Sequence, residues 1–195
     1  MTGFLPWVAT TLLLSGAFVL LFLRSIPVII TGGVFLGFRR KMEGKPWFNH
    51  LLMGGPAKSG DDRIVMTSPD MIYMLGLYDV RREPVVIHCA VPARDTYWCI
   101  SLYRRNTDNF YVRNDRASKE REFDVVIKKP GDRYEKVGGE DVVSAPSSRG
   151  VVVIRAVIAD RNDEEEIALV QATLKQTTMT PLSQWKALWR QIGAV

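Results

Sequence analysis

Residues 73–91 read YMLGLYDVRREPVVIHCAV. Two apolar runs, Tyr73–Tyr78 and Val85–Val91, flank the charged stretch Arg81-Arg82-Glu83 and Pro84. Each run is rich in β-branched and aromatic residues and too short for a stable helix, so both read as strands. Working outward, further runs of this kind occur at Ile64–Met66, Thr96–Tyr103, Phe123–Lys128, Asp141–Ser144 and Val151–Ile158. Turn residues separate them at Pro92–Asp95, Pro130-Gly131-Asp132, Gly138-Gly139 and Pro146-Ser147-Ser148. Many short strands at this spacing predict a mainly β domain, an antiparallel sandwich or partial barrel. No internal repeat is evident.

The C-terminal part changes character. Asn162, followed by Asp163, Glu164, Glu165 and Glu166, predicts a capped helix with acids facing the positive end of its dipole. It should run to about Lys175. A second helix is expected after Pro181, with Trp185, Leu188, Trp189 and Ile192 on one face and Gly193 as its stop. Closing the core of the sheet is the default role for this helix. Trp185, Lys186, Trp189 and Arg190 would also suit a membrane interface.

At the other end, Gly3–Leu23 (GFLPWVATTLLLSGAFVLLFL) contains no charge. At ~1.5 Å per residue it makes a helix of ~31 Å, matching a hydrocarbon core of ~30 Å. A cleaved signal peptide would have a basic start, a shorter apolar run and a small-residue cleavage site, none of which is present. A retained single-pass anchor is therefore expected, with Trp7 inside it and Arg24 at an interface. Ile26–Phe38 is too short to span as a helix, so a bend at Pro27 is expected. The apolar segment beyond it would lie at the membrane surface or under the domain. The predicted organisation is an anchor over residues 1–38, a connector over 39–62, and a β-rich domain with C-terminal helices over 63–195.

Of the 26 bases only Arg24 lies in the anchor, and 21 acids offset the rest. The surplus sits at Arg39, Arg40, Lys41 and Lys45, where it suits anionic headgroups. Membrane contact is expected at Trp7, Arg24, Arg39, Arg40, Lys41, Trp185 and Trp189. Elsewhere bases and acids alternate, as in Arg81, Arg82, Glu83 and in Lys119, Glu120, Arg121, Glu122, which argues against nucleic-acid binding.

The sequence contains two histidines, His50 and His88, and no zinc-type ligand spacing, so neither a metal site nor a cofactor is expected. His88 reads as a hydrogen-bonded structural residue within a strand. Cys89 and Cys99 lie on consecutive predicted strands. If those strands form a hairpin, the two are near-direct partners and could bridge, with two buried free thiols as the competing reading. No nucleophile elbow, phosphate loop or dinucleotide fingerprint is present. The remaining polar candidates are Asp70 and Tyr73, with Tyr103, Arg104 and Asp108 near the end of a later strand. They would line a pocket if they converge, with Asp70 a weak candidate acid or base. Arg104 with Asp108 reads equally as a surface ion pair.

Several short motifs, in order, carry a family resemblance. They are Ser68-Pro69-Asp70-Met71-Ile72-Tyr73, then Leu77-Tyr78-Asp79-Val80, then Glu83-Pro84-Val85-Val86, Val91-Pro92, Tyr97-Trp98 and Thr107-Asp108-Asn109-Phe110. Further on come Phe123–Gly131, Ser144-Ala145-Pro146, the strand ending in Arg155, and Gln171 before Pro181-Leu182. Over about Ile64–Leu182 the chain resembles the bacterial family catalogued as domain of unknown function twelve-fifty-four. It departs from the family pattern at Ser68 and Met71, where the family usually has Asn and Thr, and at Arg104-Arg105-Asn106, where a tryptophan is common.

The resemblance implies a β-rich domain and an export signal or anchor. It also implies a possible partner from a sister family, domain of unknown function twelve-fourteen, and no established activity. It points to the periplasmic side of the inner membrane, whereas the positive-inside rule applied to the basic flank points to the cytoplasm. The periplasmic side is preferred. The expected function is a non-catalytic, membrane-anchored accessory or partner-binding subunit. The alternative is a small enzyme or ligand-binding module for a small molecule or sugar-like substrate, with its pocket around Asp70 and Tyr73.

Overall fold

The computed structural model describes residues 3–42, 44, 46–56, 68–93, 96–117 and 120–191, with the backbone alone for 188–191. The predicted strand Ile64–Met66, together with Lys45, Ile192 and Gly193, lies outside the described residues. Helix α1 spans Phe4–Lys41. Strands β1 (His50–Pro56), β2 (Met71–Asp79), β3 (Val85–Ala90) and β4 (Trp98–Arg104) follow. Next come β5 (Asn109–Asn114), β6 (Glu122–Lys128), β7 (Asp141–Ser144) and β8 (Arg149–Val157). Helix α2 (Glu164–Gln176), strand β9 (Thr178–Pro181) and helix α3 (Leu182–Gln191) complete the described chain.

The strands form a two-layer sandwich. The first sheet has the order β1-β2-β8-β4-β5 and is antiparallel throughout. The second has the order β7-β6-β3-β9, with β7 parallel to β6. The period of two along β2 and β8 sets the faces. Ile72, Met74 and Tyr78, with Val152, Ile154 and Ala156, point inward and are buried. They meet Val85, Ile87, Cys89, Phe123, Val125, Ile127 and Met179 of the second sheet. Val170 and Leu174 of α2 join this core.

Both outer faces are covered too. Val86 and Val126 of the second sheet pack against Trp185 of α3. This side chain closes the sheet and is only 6% exposed, so the expected membrane contact at Trp185 is corrected. The side chain of Trp189 lies outside the described residues. On the first sheet, Leu52, Leu75, Leu77 and Val151 pack with Phe35 and Phe38 of α1, with its C-cap Met42, and with Trp47 and Phe48.

Helix α1 differs from expectation. It runs for 38 residues through Pro27 without a break, ~57 Å in all. Proline removes one backbone donor, and nearby hydroxyls turn back onto carbonyls: Ser25 onto Leu21 at 2.7 Å and Thr31 onto Pro27 at 2.9 Å. Its first half is apolar and exposed on every side and is long enough to cross a membrane. In its second half the covered residues Pro27, Thr31, Phe35, Phe38 and Met42 recur every three or four positions, so one stripe faces the protein. Arg39, Arg40 and Lys41 are exposed in the last turn.

The stretch expected as a connector contributes β1, and β5 and β9 were also not anticipated. Helix α2 starts one residue later than expected. Asp163 is the cap, accepting from the Glu166 amide at 2.9 Å, while the buried Glu166 carboxylate accepts from Ala159 and Asp160. The cysteines are not hairpin partners. Cys89 registers with Phe123 in one sheet and Cys99 with Asn114 and Arg155 in the other, and both are buried free thiols. The two strands form no hairpin because the link after β3 carries the chain from one sheet to the other.

Gly150 of β8 registers with Tyr78 and Arg104, where neighbouring chains come too close for a side chain. A Cβ there would collide with the Tyr103 carbonyl oxygen and the Tyr78 hydroxyl. Gly150→Ala should therefore destabilise the sandwich by about 1–3 kcal/mol. At about 2–4 °C per kcal/mol the thermal midpoint should fall visibly by circular dichroism, and an unchanged midpoint would contradict this packing.

Candidate functional site

The five residues expected to line one pocket do not converge. The Asp70 carbonyl accepts from the Ile158 amide at 2.9 Å, just past the end of β8, whereas Arg104 registers with Gly150 near its beginning. Eight residues of strand separate those points, ~27 Å at ~3.4 Å each. Tyr73 and Tyr103 register with Arg155 and Val151, four residues apart. The Tyr73 hydroxyl accepts from the Ser68 amide at 3.0 Å. Arg104 and Asp108 form the surface ion pair, with Nε 2.9 Å from Oδ2. Hydrogen bonds from Arg104 and then Asn106 hold the Asp108 carboxyl below its usual range. Asp70 thus loses the constellation that would have made it an acid or base.

A different cluster forms on the outer face of the first sheet, around Arg155. This base lies within the apolar run Val151–Ile158, in register with Tyr73 on β2 and Cys99 on β4. Its Nη2 lies 3.4 Å from the Ser101 hydroxyl and 3.9 Å from the Cys99 sulfur. Its Nε is buried without an acceptor. Tyr97 and Tyr103 lie within electrostatic reach of the guanidinium. Asp115 lies outside this cluster: its amide donates to the Trp98 carbonyl, which pairs it with an inward-facing residue, and its Oδ1 is buried without a donor.

The sequence reading passed Arg155 by, noting it only as a landmark. A lone base among seven apolar strand residues was the available signal. Nothing in the pattern marked Asp115.

The other half-buried guanidiniums are paired. Arg149 donates to Asp79 at 2.8 Å and lies 4.4 Å over the Phe48 ring. Burial would raise the Asp79 carboxyl, but hydrogen bonds from Arg81 and Arg149 outweigh it and bring it below its usual value. Arg113 contacts Glu120 at 2.5 Å and Asp141 at 3.1 Å, with its guanidinium over Phe123.

Two further concavities lie among the described residues. One, of about 200 Å³, is lined by Glu120, Glu122, Asp124, Glu140, Phe123 and Trp185. Its acids serve the fold. Glu140 accepts from Val137, Gly138 and the Tyr134 hydroxyl, and Asp124 meets His88 Nδ1 at 3.0 Å. Among the described residues no set of three metal-capable side chains converges. The second concavity is a cleft of about 510 Å³ where β1 and β9, the edges of the two sheets, run side by side. His50, Asn49, Thr178, Thr180 and Gln184 line it, with Phe48 and Met179.

The family described as "Protein of unknown function (DUF1254)" matches residues 48–181. No curated protein matches the chain. Among solved structures, the VPA0106 protein from Vibrio parahaemolyticus is similar, with a TM-score of 0.65 and 14% identity over 85% of this chain. This chain covers 38% of that protein, and the likeness shows the fold alone. An uncharacterized protein from Burkholderia cenocepacia gives a TM-score of 0.45 at 13% identity, over 71% of this chain and 35% of its own. At that score it carries no argument.

The His88–Asp124 pair makes stability depend on pH. The hydrogen bond to Asp124 raises the His88 imidazole above its usual value of 6.5, against a smaller opposing effect of burial. A raised folded pKa stabilises fully below the unfolded value, and this contribution is lost as pH rises through the folded value. The thermal midpoint of the wild type minus that of Asp124→Asn should therefore shrink between about pH 6 and about pH 8. A difference that stays flat or grows would refute the assignment.

Proposed function

Since this chain belongs to the family described as protein of unknown function DUF1254, we propose from its own geometry that it is a membrane-anchored, non-catalytic β-domain that binds a protein partner. One observation carries the reading. Helix α1 continues unbroken from a span-length, fully exposed apolar half into a half docked on the sheet through Phe35, Phe38 and Met42. A helix built this way holds the domain in one orientation against the bilayer, as a subunit of a membrane complex requires. A tethered enzyme needs only a flexible leash.

The cleft between β1 and β9 favours a protein partner. Edge strands offer unpaired backbone groups, and an extended segment adding to either one is a recurrent recognition mode. The similar Vibrio protein has a large remainder beyond the matched portion. A partner supplying an equivalent remainder, such as a sister-family membrane protein, fits the open edge. The dispersal of Asp70, Tyr73, Tyr103, Arg104 and Asp108 weighs against the small-enzyme alternative. The domain belongs, on this reading, on the periplasmic face of the bacterial inner membrane, against the basic flank at Arg39–Lys41.

Native purification in mild detergent should yield a stoichiometric companion protein. Thr178→Lys with Gln184→Lys, both exposed in the cleft, should release it without lowering the thermal midpoint. In the same cells a Glu135→Cys variant, exposed and outside the cleft, should react with a membrane-impermeant maleimide. A lone monomer from both wild type and variant would defeat the partner reading, and protection of Glu135→Cys until the membrane is opened would place the domain in the cytoplasm.

A further inference from the structure

Among the described residues nothing covers the free side of α1 above the bilayer. Residues 4–25 make ~33 Å of helix, which fills a hydrocarbon core of ~30 Å. From Pro27 upward the domain flanks the helix, covering Pro27, Thr31, Phe35 and Phe38. Arg24, exposed and three residues before Pro27, lies on that same stripe, so hydrocarbon ends there on the docked side. The opposite stripe runs two residues out of step, through Phe22, Ile29, Gly33, Leu36 and Arg40. It stays apolar as far as Leu36, with Ile29 65% and Leu36 48% exposed. Gly33 is open too, since a Cβ there would meet nothing within 4 Å.

Lipid does not reach this face. Gly33, Leu36 and Arg40 lie ~14, ~18 and ~24 Å beyond Arg24 along the axis. A helix ~10 Å wide, tilted by ~40° at the top of the usual range, lets hydrocarbon climb only ~8 Å higher on its free side. At the usual tilt of ~20° Arg40 stands ~20 Å above the hydrocarbon, past a headgroup layer of ~6 Å. The dipole of α1 favours Arg39, Arg40 and Lys41 in its last turn, but it leaves the apolar face beneath them bare.

We infer that this stripe docks the membrane-anchored helix of the protein partner. The occupant rises from the same bilayer, is apolar or small opposite Gly33 and Leu36, and carries an Asp or Glu opposite Arg40. Gly33 lets the two backbones approach closely. A second copy of this chain matches the apolar part but sets Arg40 against Arg40, with Arg39 and Lys41 beside it, so charge selects a different helix with an acidic end. This deepens the partner reading and rests on it, with one companion engaging both the β1–β9 cleft and the helix.

The test places photo-reactive benzoylphenylalanine at the exposed Leu36 of the full-length chain, in the cells that make it natively. Irradiation should join the chain to the companion that co-purifies with it. Mass spectrometry should map the junction to an apolar helix of that companion, with an Asp or Glu within two turns. Arg40→Glu should lower the adduct about fivefold, while Arg40→Lys keeps it. Gly33→Leu, at a position open within its own chain, should lower the adduct without lowering the thermal midpoint. A companion present without an adduct overturns this inference and leaves the cleft standing, whereas no companion at all overturns both. An adduct of two copies of this chain, a junction in a strand or loop, or a yield unchanged by Arg40→Glu and Gly33→Leu also overturns it.

Discussion

The contact between the second half of α1 and the outer face of the first sheet governs the rest of the structure. Phe38, Met42 and Leu77 are buried there, with Phe35, Leu52, Leu75 and Val151 around them. Burial of a side chain of this size is worth roughly 1.5–3 kcal/mol, so three of them outweigh the modest entropy of letting one helix swing. The chain after the helix is locked to the same place. Trp47 and Phe48 pack with ring centroids 4.2 Å apart and planes tilted by 35°, and Arg149 joins Phe48 to Asp79. Asn49, with φ of 58°, accepts from the Asp79 amide and donates to its carbonyl. Asparagine tolerates that left-handed conformation better than most residues. The second half of α1, Trp47, Phe48 and Asn49 are therefore packed onto the sheet as one body.

That arrangement decides which surfaces remain for function. The outer face of the second sheet is closed by α3, and the inner faces are closed against each other. The cleft at the β1–β9 edge stays open, and it offers backbone groups and a volume suited to a chain segment. Cys89 is buried, and burial pushes its thiol well above the ordinary range, away from the reactive thiolate.

Much of the fold was legible because its signals are local. Strands β2, β3, β6, β7 and β8 alternate or run apolar over several residues between clear turns, and α2 announces itself by its acids. Strand β1 was hidden in Gly54, Gly55 and Pro56, and β9 is four residues long. Each exists because a neighbour supplies its hydrogen bonds, a tertiary effect that composition does not record. Helix α1 was mispredicted at Pro27 because a proline signal was weighed without the sheet that supports the helix beyond it.

The candidate site was less legible still. Residue type suggested Asp70, Tyr73, Tyr103, Arg104 and Asp108, but register along β8 scatters them. The same register brings Arg155 of β8 against Cys99 and Ser101 of β4, strands some fifty residues apart in sequence. Pairing of distant strands is what the one-dimensional pattern lacks, and the Cys89–Cys99 expectation failed for the same reason.

The central claim is that α1 is fixed to the sheet rather than hinged to it. Double electron–electron resonance on the full-length protein in lipid nanodiscs tests this most directly. Spin labels would go at Ile30 on the helix and Val112 on β5, both exposed, while Cys89 and Cys99 stay buried from the label. A single narrow distance distribution, broadened when Phe38→Ser removes the dry contact, is the expected result. A broad distribution in the otherwise native protein would contradict the account.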